Sequence, residues 1–330
     1  MIAVKKKKQA KDIAYFIIIL ILVLVILYSG LQILEATVLF EGTVEETPAS
    51  KTIIRNGKEY FPRQDIKVIM VLGIDEFGPV QSSGSYINPG SADMVMLLIL
   101  DEAEETCKVL QMNRDSMVEM PVLGVGGKEA GTYFGQLALS HTYGSGLHDS
   151  CKNTRKTLSN LLYGIDIHYY VAMNMDAISI LNDAVGGVTV NVTDDFSEVD
   201  PSIGMGQVTL KGEQAIHFVR TRKDVGDQLN LSRVQRHREY VNGFAEALRA
   251  KQAEGADFIL SAYEQVKPYM VTDCSTNMMA TMIDRYSNYE IQEIVSPKGE
   301  NVMSEKYFEF YIDEEDLDAL ILRLFYAEKE

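Results

Sequence analysis

Cysteine, positive charge and metal-binding clusters are scarce in this chain, and each scarcity removes a class of function. Cys107, Cys151 and Cys274 are the only thiols in 330 residues. An odd number at wide spacing cannot complete a disulfide framework, and without a CxxC pair there is no zinc signature. The three are expected to be small core residues, with a single disulfide left open. Lysine and arginine total 31 against 47 aspartates and glutamates, a formal net charge of -16. Such a field repels a polyanion, so nucleic acid is not an expected partner. No Ser-His-Asp constellation is evident either.

What is present begins with a membrane signal. Lys5, Lys6, Lys7, Lys8 and Lys11 precede an uncharged run of 22 residues, Ile13 to Leu34. As a helix this run spans about 33 Å, enough to cross a bilayer. A cleaved signal peptide has a shorter apolar core, about 7–15 residues, ending at a small-residue site, so a retained anchor is the expectation. The flanking lysines leave the N-terminus in the cytoplasm. The expected organisation is a cytoplasmic tail (1–12), a transmembrane helix (13–34), an extracytoplasmic stalk (35–61) and one exported domain (62–330). Without its N-terminal lysines the exported part is more acidic still, and glycan, lipid head group or cell-wall material suits it as a partner.

Within that domain Ile66 to Ile74 is a nearly continuous apolar run, which predicts a strand buried on both faces with Asp75 at its end. Met94–Leu100 and Cys107–Met112 flank a polar link and predict a β-hairpin. If Leu100 faces Cys107, paired residue numbers sum to 207 and Asp93 falls opposite Arg114. The glycine-rich 124–146 predicts an irregular loop with a short helix, in which His141 and Tyr143 are expected to be structural. Helices are expected at 150–163, 176–186, 212–219, 233–251, 256–266, 274–286 (capped by Asp273) and 314–326, with further strands at 168–175, 187–192 and 289–295. This alternation predicts an α/β fold, a mixed central β-sheet layered between α-helices.

Against the acidic background, His217–Tyr240 gathers Arg220, Arg222, Arg233, Arg236 and Arg238. Arginine's planar fork suits phosphate oxygens, whereas the alternative is a solvated, salt-bridged helix face. In an extended stretch after the 212–219 helix, Arg220 and Arg222 would point the same way. Ser232 and Gln235 form a capping-box pattern, which starts a helix carrying Arg233, Arg236 and His237 on one face near its N-terminus.

VLGID at 71–75, SADMVMLLIL at 91–100, NRD at 113–115, DAVGGVTVNV at 183–192, LKGEQAIHFVRTRK at 210–223 and NLSRVQRH at 230–237 together resemble the LytR-CpsA-Psr family of Gram-positive cell-wall enzymes. The resemblance implies a phosphotransferase that moves a glycopolymer, such as teichoic acid or capsule, from an undecaprenyl-pyrophosphate carrier to peptidoglycan. It implies Mg²⁺ held by Asp75 and Asp93, with Arg114, Arg220, Arg222 and Arg233 on the pyrophosphate and Arg236 and His237 as additional substrate contacts. Five positions depart from the family pattern. Ser91 stands where an arginine is usual, Asn230 where an aspartate is, His237 where a glutamine is and Asn113 where a proline is, and the arginine often found after Asp75 is missing. The alternatives are a catalytically weak lipid- or glycan-binding protein that regulates envelope assembly, and a polyprenyl-pyrophosphate hydrolase.

Overall fold

The computed structural model describes residues 52–221, 257–275, 289–304 and 307–329, together with 225, 236, 239–240, 243–244, 246–248, 250–251 and 285–286. The span expected at 13–34 lies outside these. Among the described residues no helix is long and apolar enough to cross a membrane.

β-branched runs alternate with glycine-punctuated helical segments and produce a mixed α/β fold. The described chain opens with β1 (Ile53–Arg55), β2 (Lys58–Pro62), β3 (Ile66–Ile74), β4 (Ala92–Asp101), β5 (Thr106–Met112), β6 (Met117–Leu123) and β7 (Glu129–Gln136). It continues through α1 (His148–Leu161), β8 (Tyr169–Asn174), α2 (Asp176–Ala184), β9 (Val188–Val192), β10 (Gly206–Leu210), α3 (Glu213–Arg220) and α4 (Asp257–Val266). It closes with β11 (Met270–Thr272), β12 (Glu290–Val295), β13 (Gly299–Met303), β14 (Phe308–Ile312), α5 (Glu314–Phe325) and β15 (Tyr326–Glu328).

Two compact units result. The larger comprises residues 52–173, 270–274 and 294–329. It is built on strands that lie side by side in the order β11-β8-β3-β4-β5. Val68, Met70 and Leu72 of β3 and Val95, Leu97 and Ile99 of β4 enter one core with Leu158 of α1 and Ile321 and Leu324 of α5. Burial of both faces explains why β3 and β4 carry continuous apolar runs instead of alternation. Asp313 starts α5, its carboxylate accepting the N–H groups of Glu315 and Asp316, which satisfies donors that a helix start leaves open.

The smaller unit comprises residues 174–269 and 275–293. There β9 and β10 form an antiparallel ribbon with Val190 opposite Val208, and Phe196 stacks on Phe218 with ring centres 5.7 Å apart. The described positions between Arg236 and Lys251 are helical. Gly243 lets that helix approach β9, since a Cβ there would strike the Thr189 carbonyl.

The structure differs from expectation in four places. Residues 53–61, inside the expected stalk, form β1 and β2, because Asn56-Gly57 takes the positive φ angles of a tight hairpin turn, and β2 pairs with β15. The expected irregular loop at 124–146 contains β7, which pairs with β6; its glycines hid a strand exposed to solvent along most of its length. The β13–β14 hairpin was not expected. Asp273 ties β11 to β8, accepting from Tyr170 N at 2.8 Å and pairing with Arg155 at 2.9 Å, while most of the helix expected after it lies outside the described residues. Cys107, Cys151 and Cys274 are buried free thiols, and burial pushes Cys107 up to about 12.

The β4–β5 turn depends on one buried charge. Asp101, 1% exposed, lies 2.7 Å from Arg63 Nη1 and accepts the N–H groups of Ala103 and Glu104. Burial pushes the Asp101 carboxyl up, but Arg63 and the Glu104 N–H outweigh it, and its pKa is lowered. This carboxylate therefore contributes stability above its unfolded pKa of about 3.9 that is lost as pH falls through the lower folded value. Arg63→Met should cost about 3–5 kcal/mol in urea unfolding at neutral pH, because it leaves a buried charge uncompensated. With only the backbone N–H groups left to oppose burial, the folded pKa of Asp101 should be higher in the variant than in the parent, so the variant's deficit in stability should shrink at acid pH, where the carboxyl is protonated in both.

Candidate functional site

Between β3 and β4 the register runs regularly to Gly73↔Met94 and then shifts, so that Ile74 faces Ala92. Asp93 is the extra residue of a β-bulge, a device that re-aims a side chain at the end of a ladder. Gly73 permits the close approach, as a Cβ on it would stand 3.0 Å from Met94 Cβ. Beyond the shift, Asp75 N donates to Ser91 O at 3.0 Å, which sets Asp75 beside the segment that carries Asp93. Ser91 Oγ donates to Asp93 Oδ1 at 2.8 Å.

The β4–β5 pairing follows the expected arithmetic, with Leu100 facing Cys107 and Val95 facing Met112. Extended past the ladder, it delivers Arg114 to Asp93, and the two form an ion pair through Arg114 Nη1 and Asp93 Oδ1. Their side chains are 27% and 25% exposed, so the pair is partly desolvated yet reachable from solvent. Arg114 Nε lies 3.4 Å from Asp115 Oδ1 but makes no hydrogen bond, an ion pair with the donor misdirected. Gln136 Nε2 donates to the same Asp115 oxygen at 2.9 Å, and Arg114 O accepts from Ala138 N at 2.9 Å.

A buried bracket holds the loop before Ser91. Asn88 Nδ2 donates to the carbonyls of His141 and Gly144, and Gly90 O lies 2.7 Å from His141 Nδ1. Burial lowers the His141 pKa against the opposing pull of the Gly90 carbonyl, which favours a neutral ring donating through Nδ1. The expected structural role of His141 agrees with this geometry. Nothing in the local sequence marks Gln136, Asn88 and His141 as neighbours of Asp93 and Arg114; they lie 5 to 48 residues from one or the other in the chain and meet through the fold.

In the smaller unit Arg220 is the last residue of α3, and its side chain is exposed. It is helical, where an extended residue was expected, and its relation to Arg222 lies outside the described residues. Arg236 also differs from expectation. It is 3% exposed, and its guanidinium donates to Phe218 O at 2.9 Å, to Thr221 O and to Asp194, and lies over the Phe196 ring at 5.6 Å. With its donors committed inside the unit, Arg236 braces the end of α3 instead of offering a fork to a substrate. Arg222, Arg233, His237, Arg238 and Asn230 lie outside the described residues.

Among the described residues no group of three or more His, Cys, Asp or Glu side chains could cage a metal. Asp75, Asp93 and the Ser91 hydroxyl are an all-oxygen set of two carboxylates, and the Ser91 and Arg114 contacts both fall on Asp93 Oδ1, so Oδ2 takes part in neither. That chemistry fits a hard cation that keeps water and phosphate oxygens in its shell, and does not suit zinc.

Fold and site thus define an α/β protein with an acid–arginine pair at a sheet end, a class suited to anions. The profile of the LytR_cpsA_psr family matches residues 36–324, and the chain belongs to that family. It is 29% identical over 225 residues to the polyisoprenyl-teichoic acid–peptidoglycan teichoic acid transferase TagU of Bacillus mycoides, an alignment covering 67% of this chain and 64% of that protein. The TagU of Oceanobacillus iheyensis is 28% identical over 185 residues, 56% of this chain and 52% of the relative. The chain therefore spans between half and two thirds of the length of these relatives. A crystal structure of protein gbs0355 from Streptococcus agalactiae superposes with a TM-score of 0.61 at 22% identity, covering 79% of this chain and 86% of that one; that likeness concerns the fold alone.

Gly73→Ala should lower stability by about 1–3 kcal/mol in urea unfolding, because Met94 Cβ is fixed to the backbone and cannot yield without moving the bulge. Arg236→Ala should lower the melting temperature by several degrees, through loss of charge-assisted bonds worth about 1.5–3 kcal/mol each. Arg220→Ala, at an exposed position, should leave it nearly unchanged.

Proposed function

We propose that the protein is a glycopolymer transferase that moves a polymer from a polyprenyl-pyrophosphate carrier to a hydroxyl of peptidoglycan. The observation that carries this reading is the partly exposed Asp93–Arg114 pair at the β3–β4 bulge, with Asp75 on the adjoining strand end. Family membership and the activity for which the TagU relatives are named support it. Arg114 would bind the pyrophosphate, while Asp75 and Asp93 would hold Mg²⁺; contacts from Arg220, Arg222 and Arg233 are what the family resemblance implies. The cation would supply neutralisation of phosphate oxygens.

The acceptor hydroxyl attacks the phosphorus attached to the sugar, forming a new P–O bond. The bond to the bridging oxygen breaks, and polyprenyl phosphate leaves with that oxygen. The hydroxyl proton passes to solvent or to a carboxylate of the site. This chemistry needs charge neutralised on the leaving oxygens more than it needs a covalent nucleophile. Arg114 is paired with Asp93, and on binding substrate its fork would turn to phosphate. An N-terminal anchor would confine the enzyme to the surface that carries its lipid-borne donor, which raises the donor's effective concentration.

The full chain in mild detergent, given polyprenyl-pyrophosphate glycan, peptidoglycan and Mg²⁺, should release polyprenyl phosphate, and EDTA should stop the release reversibly. Arg114→Ala should lower kcat/KM roughly 10²–10³-fold, the scale of losing one stabilising donor. Absence of release while a relative works in the same assay would refute transfer, and donor binding without turnover would favour a binding protein instead. The replacement of the usual arginine by Ser91, whose hydroxyl is engaged by Asp93, is the feature that favours this second reading.

A further inference from the structure

One short segment of the larger unit holds the chain on both sides of the acid–arginine pair without belonging to the pair. Residues 137–141 form a 3₁₀ turn, flanked by Gln136 at one end and by Thr142 to Gly144 at the other. Its first residues grip the chain around Arg114. Leu137 N donates to Ser116 O at 2.8 Å and Ala138 N to Arg114 O at 2.9 Å. Gln136 Nε2 donates to Asp115 Oδ1 at 2.9 Å, the oxygen that lies 3.4 Å from Arg114 Nε. Its last residues grip the chain that leads to Asp93. His141 Nδ1 lies 2.7 Å from Gly90 O, and Thr142 O accepts Asn88 N at 2.9 Å. The carbonyls of His141 and Gly144 accept Asn88 Nδ2 at 2.8 and 3.0 Å.

The turn is built as a stiff spacer. From Ala138 to His141, three residues of 3₁₀ geometry rise about 6 Å, which sets the interval between the two grips. Leu137, Ala138, Ser140 and His141 are buried, and α1 backs them, with Asn153 Nδ2 donating to Ser140 O at 2.8 Å and Ser140 Oγ to Thr154 Oγ1 at 3.0 Å. Gly90 is pressed from the other side by the end of β3, where a Cβ on it would stand 2.8 Å from Ile74 Cγ2 and 3.0 Å from Glu76 Cγ. It is therefore held between β3 and His141, and the next residue accepts Asp75 N through Ser91 O. Packing does not account for an imidazole here. Its Nε2 is buried with no partner among the described residues, whereas a phenyl ring would fill the space without an unsatisfied atom. What the imidazole adds is the Nδ1–H bond to Gly90 O.

We propose that Gln136 and His141 are positioning residues, the two ends of a yoke that fixes the separation of Asp93 and Arg114. Arg114 is gripped at its own carbonyl and through its neighbour Asp115, and Asp93 follows three residues after the gripped Gly90, so loss of either end lets one charge move relative to the other. The consequence for transfer rests on the transfer reading above; the consequence for the pair does not. Coupling between the two charges therefore reads the yoke directly. In the full chain in mild detergent, a double-mutant cycle of Asp93→Asn and Arg114→Met in urea unfolding should give a coupling of roughly threefold or more in the unfolding constant.

Introduced at all corners of that cycle, His141→Phe, which keeps the ring and loses the donor, should bring the coupling close to unity. Gln136→Met, at a half-buried position, should do the same from the other end. His141→Asn separates positioning from packing, since its amide N–H takes the place of Nδ1 while the missing ring atoms leave a cavity. It should lower the melting temperature yet keep the coupling. In the transfer assay Gln136→Met and His141→Phe should lower kcat/KM roughly tenfold, a loss that His141→Asn should largely escape. Coupling that changes as expected in a protein that shows no transfer would keep the yoke and remove the transferase reading. Coupling absent from the parent, unchanged by His141→Phe or by Gln136→Met, or falling in step with the melting temperature across the variants would overturn the proposal.

Discussion

The pairing of Asp93 with Arg114 is the interaction around which the larger unit is arranged. Two opposite charges, each about one quarter exposed, are held at the open end of a hairpin whose body is almost wholly buried. The partly desolvated setting strengthens the attraction relative to water while leaving a path for an anion. Its geometry follows from two ladders. The β4–β5 register carries Arg114 to the right height, and the bulge against β3 frees Asp93 from pairing so that it can turn toward the arginine. A one-residue slip in either ladder would send one partner to the opposite face.

The arginines illustrate how similar side chains in one segment take different work. Arg236 is sealed inside the smaller unit, where backbone carbonyls, Asp194 and the Phe196 ring absorb its charge. A buried guanidinium is tolerated only when its donors are satisfied, and once they are satisfied it has little to offer a ligand. Arg220, sixteen residues earlier, ends a helix in solvent. Helical spacing in the sequence places Arg236 on a face with Arg233 and His237, but only the neighbours of that face decide whether it meets solvent or protein.

Much of the frame was legible beforehand. The apolar run at 66–74 is β3 to the residue, and the number sum of 207 held along β4 and β5, because burial on both faces and a short polar link leave few alternatives. The β6–β7 and β13–β14 hairpins were not legible. β7 is exposed along most of its length and interrupted by glycines, and β13 is exposed throughout, so neither carries the apolar periodicity that marks a buried strand. Residues 53–61 read as stalk for a related reason: their strands are short, and β2 gains its second partner from β15, more than 260 residues later.

By itself the sequence determined the family, the strands with two buried faces, and the meeting of Asp93 with Arg114, since hydrophobic patterning and hairpin arithmetic are local properties of the chain. The tertiary structure alone decided which arginine is sealed and which is exposed, and which asparagine, glutamine and histidine support the segments that carry the acid–arginine pair. These depend on contacts between residues far apart in the chain. Burial and hydrogen-bond satisfaction are set by the neighbours that folding brings in, and residue type and spacing do not specify them.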